Sequence, residues 1–170
     1  MTRRTILAAA LVGGCAALLL TASTAPAGTG PVRVQRVISF SEDSGASTKV
    51  KDECDLETKV PSFLSSYAKN VELVDGKPGK SGRVLELRIT QVRAPGGGVF
   101  SGAKSMTVSG TLWEDGKKLG SFTAERYSGG GAFGAYKGTC GIIGRCAKAI
   151  GKDIAKWLKK PVMGARLGDA

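Results

Sequence analysis

The chain has 170 residues, 25 Lys and Arg against 14 Asp and Glu, a formal net charge of +11 and no histidine. That length suits one domain, and the missing imidazole removes His-based acid–base catalysis, Ser–His–Asp and Cys–His arrangements and every His-containing metal site. The positive charge favours acidic partners such as anionic lipid headgroups, envelope phosphates or acidic proteins, and is equally compatible with an ordinary solvated surface.

Residues 1–27 read as a signal peptide. Arg3 and Arg4 supply the positive start, Ile6 to Leu20 an apolar run, and Ala25-Pro26-Ala27 an A-x-A cleavage signature. The run is shorter than the roughly 20 residues that span a bilayer, and no later segment reaches that length, so no transmembrane segment is expected in the mature chain. Val12-Gly13-Gly14-Cys15 offers a competing lipoprotein box in which Cys15 would be acylated. Cleavage after Ala27 gives a periplasmic or secreted domain; lipidation of Cys15 gives one anchored to an envelope membrane.

From residue 28 to 161 the pattern predicts a single α+β domain. Val32 to Phe40 alternates as a half-buried strand, with Val37 out of phase. Residues 41–53 read as a loop containing the neighbouring carboxylates Asp52 and Glu53. A short helix follows, capped by Thr58 with Pro61 in its first turn, turning Val60, Phe63 or Leu64, and Tyr67 inward. Val71 to Val74 is a brief strand, and Lys77 to Gly82 a turn. Arg83 to Arg93 is the clearest strand: Leu85, Leu87, Ile89 and Gln91 share one face, and Glu86, Arg88 and Thr90 the other. Gly102 to Trp113 pairs with it, and Glu114-Asp115-Gly116-Lys117 is an Asp-Gly hairpin turn leading to a return strand at Lys118 to Tyr127. Three antiparallel strands thus meander across residues 83–127.

The Gly-rich stretch Ser128 to Gly134 lacks both the Lys-Ser/Thr of a P-loop and the G-x-G-x-x-G of a dinucleotide site, and reads as a connector. The last helix, Gly141 to Lys160, sets Ile143, Cys146 or Ala147, Ile150, Ile154 and Trp157 or Leu158 at three- and four-residue steps. Arg145, Lys148, Lys152, Lys156 and Lys159 run down the opposite face as a candidate basic contact surface. Pro161 ends the helix, and residues 162–170 are read as a flexible tail. Trp113, beside the hairpin turn, is the candidate aromatic contact.

Outside the leader the cysteines are Cys54, Cys140 and Cys146. An oxidising compartment makes one disulfide the natural outcome, with one thiol left over. Cys54 with Cys140 or Cys146 would tie an early helix to the last one, and a local Cys140–Cys146 loop is the rival. Three cysteines without histidine do not make a zinc knuckle, so no metal and no cofactor is expected.

The Cys-x5-Cys segment, Cys140 to Cys146, enters a helix reading Lys152-Asp153-Ile154-Ala155-Lys156-Trp157-Leu158. With residues 54–70 and 83–127, it resembles a group of small uncharacterised secreted proteins of Gram-negative bacteria. The resemblance implies export and a helix-to-helix disulfide, and it assigns no catalytic or ligand-binding residue.

Together these readings predict an antiparallel sheet of four to five strands with two helices packed on one face. The functional expectation is a non-enzymatic exported cell-envelope protein that binds another protein or a polyanionic envelope component. The alternatives are a small periplasmic enzyme using carboxylates, such as Asp52 with Glu53 or Glu114 with Asp115, and a lipid-anchored envelope assembly factor. Specific nucleic-acid binding is not expected: the aromatics do not interleave with the basic stripe as stacking platforms would.

Overall fold

The computed structural model describes residues 30–95, 103–129 and 138–170. The expected signal peptide, Cys15 and most of the Gly-rich connector lie outside the described residues. The elements run β1 (Val32–Gln35), β2 (Ser39–Phe40), α1 (Thr48–Cys54), α2 (Leu56–Tyr67), β3 (Val71–Val74), β4 (Arg83–Arg93), β5 (Lys104–Glu114), β6 (Lys117–Ser128), α3 (Thr139–Trp157) and β7 (Ala165–Gly168).

The chain is α+β and carries a disulfide, but the expected sheet of four to five antiparallel strands with two helices is not what forms. Among the described residues seven strands make one mixed sheet in the order β3-β1-β4-β5-β6-β7, with β2 also on β4, and there are three helices. Only the centre, β4-β5-β6, is antiparallel. The flanks are parallel because each is closed by a helical crossover, as parallel pairing requires. Helices α1 and α2 return the chain to lay β3 beside β1, and α3 returns it to lay β7 beside β6. The 162–170 segment read as a tail therefore supplies an edge strand, and the 41–53 segment read as a loop contains most of α1.

The Asp-Gly turn forms with both residues at positive φ, Asp115 at 47° and Gly116 at 78°, the backbone of a type I′ hairpin. Two irregularities in the strand registers explain where simple alternation misleads. One falls between Ile89 and Gln91, so the inward set runs Leu85, Leu87, Ile89 and then Val92, and Gln91 is exposed. The second, at Leu112/Trp113 opposite Gly120 and Lys118, turns Leu119 outward and restores Phe122 and Ala124 to the core.

The single strand expected over 32–40 is two. β1 pairs with β4 at Val32–Val34 and β2 at Ser39–Phe40, while the residues between them turn towards α2. Pro61, inside α2 rather than in its first turn, has no N–H to give the Glu57 carbonyl; the Ile38 N–H donates to that carbonyl instead at 3.1 Å. The residue expected to cap this helix, Thr58, lies within it, and Asp55 in the left-handed region is the N-cap.

The core lies between the inner sheet face and the helices. Val32, Val34, Leu85, Ile89, Met106, Val108 and Leu112 from the sheet meet Val60, Leu64, Ile143, Ile150, Ile154 and Trp157 from α2 and α3. Trp157 packs edge-on against Phe122, with ring centroids 4.8 Å apart, and its indole N–H donates to the Val162 carbonyl. Gly110 leaves the room for that Phe122 ring, which a Cβ there would overlap.

Cys54, ending α1, is bonded to Cys140 in the first turn of α3, across a sequence separation of 86. Cys146 is a buried free thiol. This overturns the resemblance drawn from the Cys-x5-Cys segment. Cys140 and Cys146 both lie within α3, are not linked to each other, and do not form a unit entering the helix.

Candidate functional site

Helix α3 presents the basic surface. Its apolar stripe turns into the core, so residues on the far side are forced outward by the 3.6-residue period. Arg145, Lys148, Lys152 and Lys156 of α3 are all exposed, as is Lys159, which follows the helix because α3 ends at Trp157 rather than at the expected Lys160. Eleven positions separate Arg145 from Lys156 on the helix, about 17 Å at helical rise. None of the five takes part in an ion pair among the described residues. The helix has one acid, Asp153, and it does not dilute the stripe: it is buried and accepts from Arg126 Nε at 2.7 Å. Arg126 also donates from Nη1 to Asp169 at 3.0 Å, so this guanidinium joins β6, α3 and the residue that follows β7. The hydrogen bond to Asp153, reinforced by the charges of Asp153 and Asp169, holds Arg126 more firmly protonated than usual.

Trp113 lies on the opposite, outer sheet face and is half-buried. Its indole N–H donates to Glu86 Oε2 at 2.9 Å beside Val84, Pro78 and Lys80. It is therefore distant in the fold from the basic stripe, and the structure does not bring the two candidate contacts together. The carboxylate pairs are likewise separate. Asp52 and Glu53 are exposed on α1, while Glu114 pairs with Arg83 and Asp115 Oδ1 accepts from the Gly82 N–H at 2.7 Å. Neither pair lines the grooves described below.

The outer face of the sheet carries features that the sequence reading left unassigned. A groove of about 460 Å³ lies under the segment Lys77–Lys80 and over β4 and β5. It adjoins a shallower one lined by Ser121, Thr123 and Arg166 through the shared residues Ser109 and Thr111. The signal for this face was present in the alternation of β4, which sets Glu86 and Arg88 outward. The arch of Lys77 and Lys80 above it is tertiary and has no local signature.

Among the described residues, no helix is long and apolar enough to cross a membrane, and no group of His, Cys, Asp or Glu is placed to hold a metal ion. No family model and no curated protein matches the chain. Several solved structures do. One, of an uncharacterised protein, aligns at TM-score 0.50 with 12% identity over 78% of this chain and 94% of its own. The PelC dodecamer from Paraburkholderia phytofirmans aligns at 0.45 with 13% identity, covering 74% of this chain and 87% of its own. A minor lipoprotein from Acinetobacter baumannii aligns at 0.42 with 14% identity, covering 78% and 97%. At such identities the likeness concerns the fold alone.

Proposed function

We propose that this protein is a non-catalytic binding domain of the bacterial cell envelope, and that the exposed face of α3 holds it against an anionic envelope component. The observation that carries this reading is the disposition of charge on α3. Its apolar stripe is spent in the core, its one acid is buried against Arg126, and four cations on the helix, with Lys159 just past its end, face solvent without an ion pair among the described residues. Because the apolar face is not free to insert, the contact is electrostatic and lies at headgroup level, unlike an amphipathic anchor. An A-x-A leader, cleaved after Ala27, would carry the domain out of the cytoplasm, and acylation of Cys15 would instead add a membrane anchor that the described elements lack.

Each basic residue close to an anionic surface contributes about 1 kcal/mol. Replacing Lys148, Lys152, Lys156 and Lys159 by Gln should therefore weaken cosedimentation with phosphatidylglycerol-containing vesicles at least a hundredfold at low salt, with the thermal melt unchanged. The wild-type protein should leave the vesicles as salt is raised and should ignore neutral phosphatidylcholine. Equal binding by the variant and the wild type would remove α3 from the contact.

A further inference from the structure

The groove on the outer sheet face differs from the stripe on α3 in being concave, though open to solvent, and its lining is chemically mixed. Three cations border it: Lys77 and Lys80 from the β3–β4 connection, and Arg88 from β4. None of them is ion-paired or hydrogen-bonded through its side chain to another described residue. Against them stands one acid, Glu86, whose Oε2 is already taken by the Trp113 indole N–H. Unpaired cations crowded around one cleft repel each other, and an anion brought between them relieves that repulsion. The planar guanidinium of Arg88 can take two oxygens of one anion, while two ammonium groups act as mobile point charges.

The remaining lining is neutral and polar. Ser109 and Thr111 of β5, Ser39 of β2 and Gln35 of β1 border the groove, and none of these side chains is hydrogen-bonded within the described residues. The pairing of β1 and β2 with β4 is interrupted between Leu85 and Arg88, because the residues between the two short strands are drawn away to Glu57 on α2. That interruption opens the sheet edge between Gln35 and Ser39. An inorganic anion could accept from one or two of these donors but is too small to reach the whole row from Gln35 to Thr111; a neutral sugar would leave the cations idle. The volume of about 460 Å³ lies in the range of small-molecule sites.

We infer that this groove is a binding site for a phosphorylated sugar, its phosphate held by Arg88, Lys77 and Lys80 and its hydroxyls by Ser39, Ser109, Thr111 and Gln35. The phosphosugar could be free in solution or could be the headgroup of an envelope glycolipid, and both would offer the groove the same chemistry.

The test is a titration of the 15N-labelled domain with glucose 1-phosphate, N-acetylglucosamine 1-phosphate, glucose and inorganic phosphate, followed by amide shifts. The expected result is saturable shifts at residues 35–39, 77–88 and 109–111, with at least one sugar phosphate binding tenfold or more tightly than either glucose or inorganic phosphate. The double variant Lys80→Gln with Arg88→Gln should lose at least tenfold in that affinity. Both side chains are exposed and make no hydrogen bond or ion pair to another described residue, so its spectrum should otherwise match wild type. Saturation by inorganic phosphate as tight as by either sugar phosphate, or no shift in the groove with either, would overturn the inference. Vesicles with and without lipopolysaccharide then separate the two sources. Groove-dependent retention on the first alone assigns a lipid-borne ligand, and its absence assigns a soluble one. The lysine-to-glutamine variant of α3 should retain full sugar-phosphate affinity, so the two readings can fail separately.

Discussion

Cys146 is 2% exposed, with its thiol directed at the Lys104 carbonyl 3.8 Å away. Burial, aided by the charge of Asp169, pushes the thiol from 9.0 up to about 11. In the unfolded chain the same thiol ionises near its ordinary value, so the folded state holds the proton over a range where the unfolded state has released it. Its contribution is fully present below about pH 9 and is lost as pH rises through about 11, amounting to about 3 kcal/mol over two units. Urea unfolding of wild type and Cys146→Ala at about pH 8 and pH 11 should show this as a difference in alkaline slope. Lys104, whose pKa is lowered by burial, pulls the opposite way but is common to both proteins and cancels. Equal slopes would mean that the thiol reaches water in the folded state. The glycines of α3 supply a second contrast. A Cβ at Gly151 would lie 2.8 Å from Phe63 Cβ and 2.9 Å from the Leu64 backbone nitrogen, whereas one at Gly144 would meet nothing within 4 Å. Replacing a helical glycine by alanine is worth up to about 1 kcal/mol. Gly144→Ala should therefore stabilise by roughly 0.5–1 kcal/mol, while Gly151→Ala should destabilise by about 1–3 kcal/mol because backbone cannot yield as a side-chain tip can. Two denaturation midpoints moving in opposite directions would establish that α2 and α3 touch at Gly151.

The disulfide joins α1 to α3 and closes a loop whose chain-entropy value is about 4.5 kcal/mol. Cys54→Ala with Cys140→Ala should lower unfolding stability by about 2–5 kcal/mol in urea; a loss under 1 kcal/mol would show that helix packing alone holds the two ends. What the sequence made legible follows from how local each signal is. The meander was readable because alternation and an Asp-Gly turn are encoded within a few residues. The α3 stripe was readable because it persists over five turns. The parallel flanks were not: β2 has two residues and β7 four, too few to show a period, and both exist because a longer neighbour offers a ladder. The helix α1, seven residues long, lies in a Ser- and Lys-rich stretch without an extended apolar face, and its identity depends on Val50 and Cys54 being buried against the rest. Parallel pairing of β1 with β3 and β4 was available only by treating strand, helix and strand over 32–74 as one crossover unit. Of the candidate sites, the basic stripe was visible because a helix repeats. The groove was invisible because its walls come from four separate segments, and Trp113 was visible as a residue but not as Glu86's partner.

The two proposed sites lie on opposite sides of the domain, with the sheet and the diameter of α3 between them. A helix alone is about 10 Å across, so their charges are farther apart than the Debye length of about 8 Å at physiological ionic strength. Long-range attraction between the groove and an anionic surface engaged by α3 should then be screened, although both carry positive charge. At about 0.01 M salt the Debye length grows to about 30 Å, longer than the domain is thick, and every cation contributes to the approach. The Lys80→Gln, Arg88→Gln variant should therefore bind phosphatidylglycerol vesicles like wild type at about 0.15 M salt and measurably less well at about 0.01 M. The α3 variant should be weakened at both. Combined, the two sets should add to within about 0.5 kcal/mol at the higher salt, as distant independent sites do. If the groove variant instead loses vesicle binding at 0.15 M as strongly as the α3 variant, the surface contact belongs to the outer sheet face. The stripe on α3 would then be ordinary solvated charge.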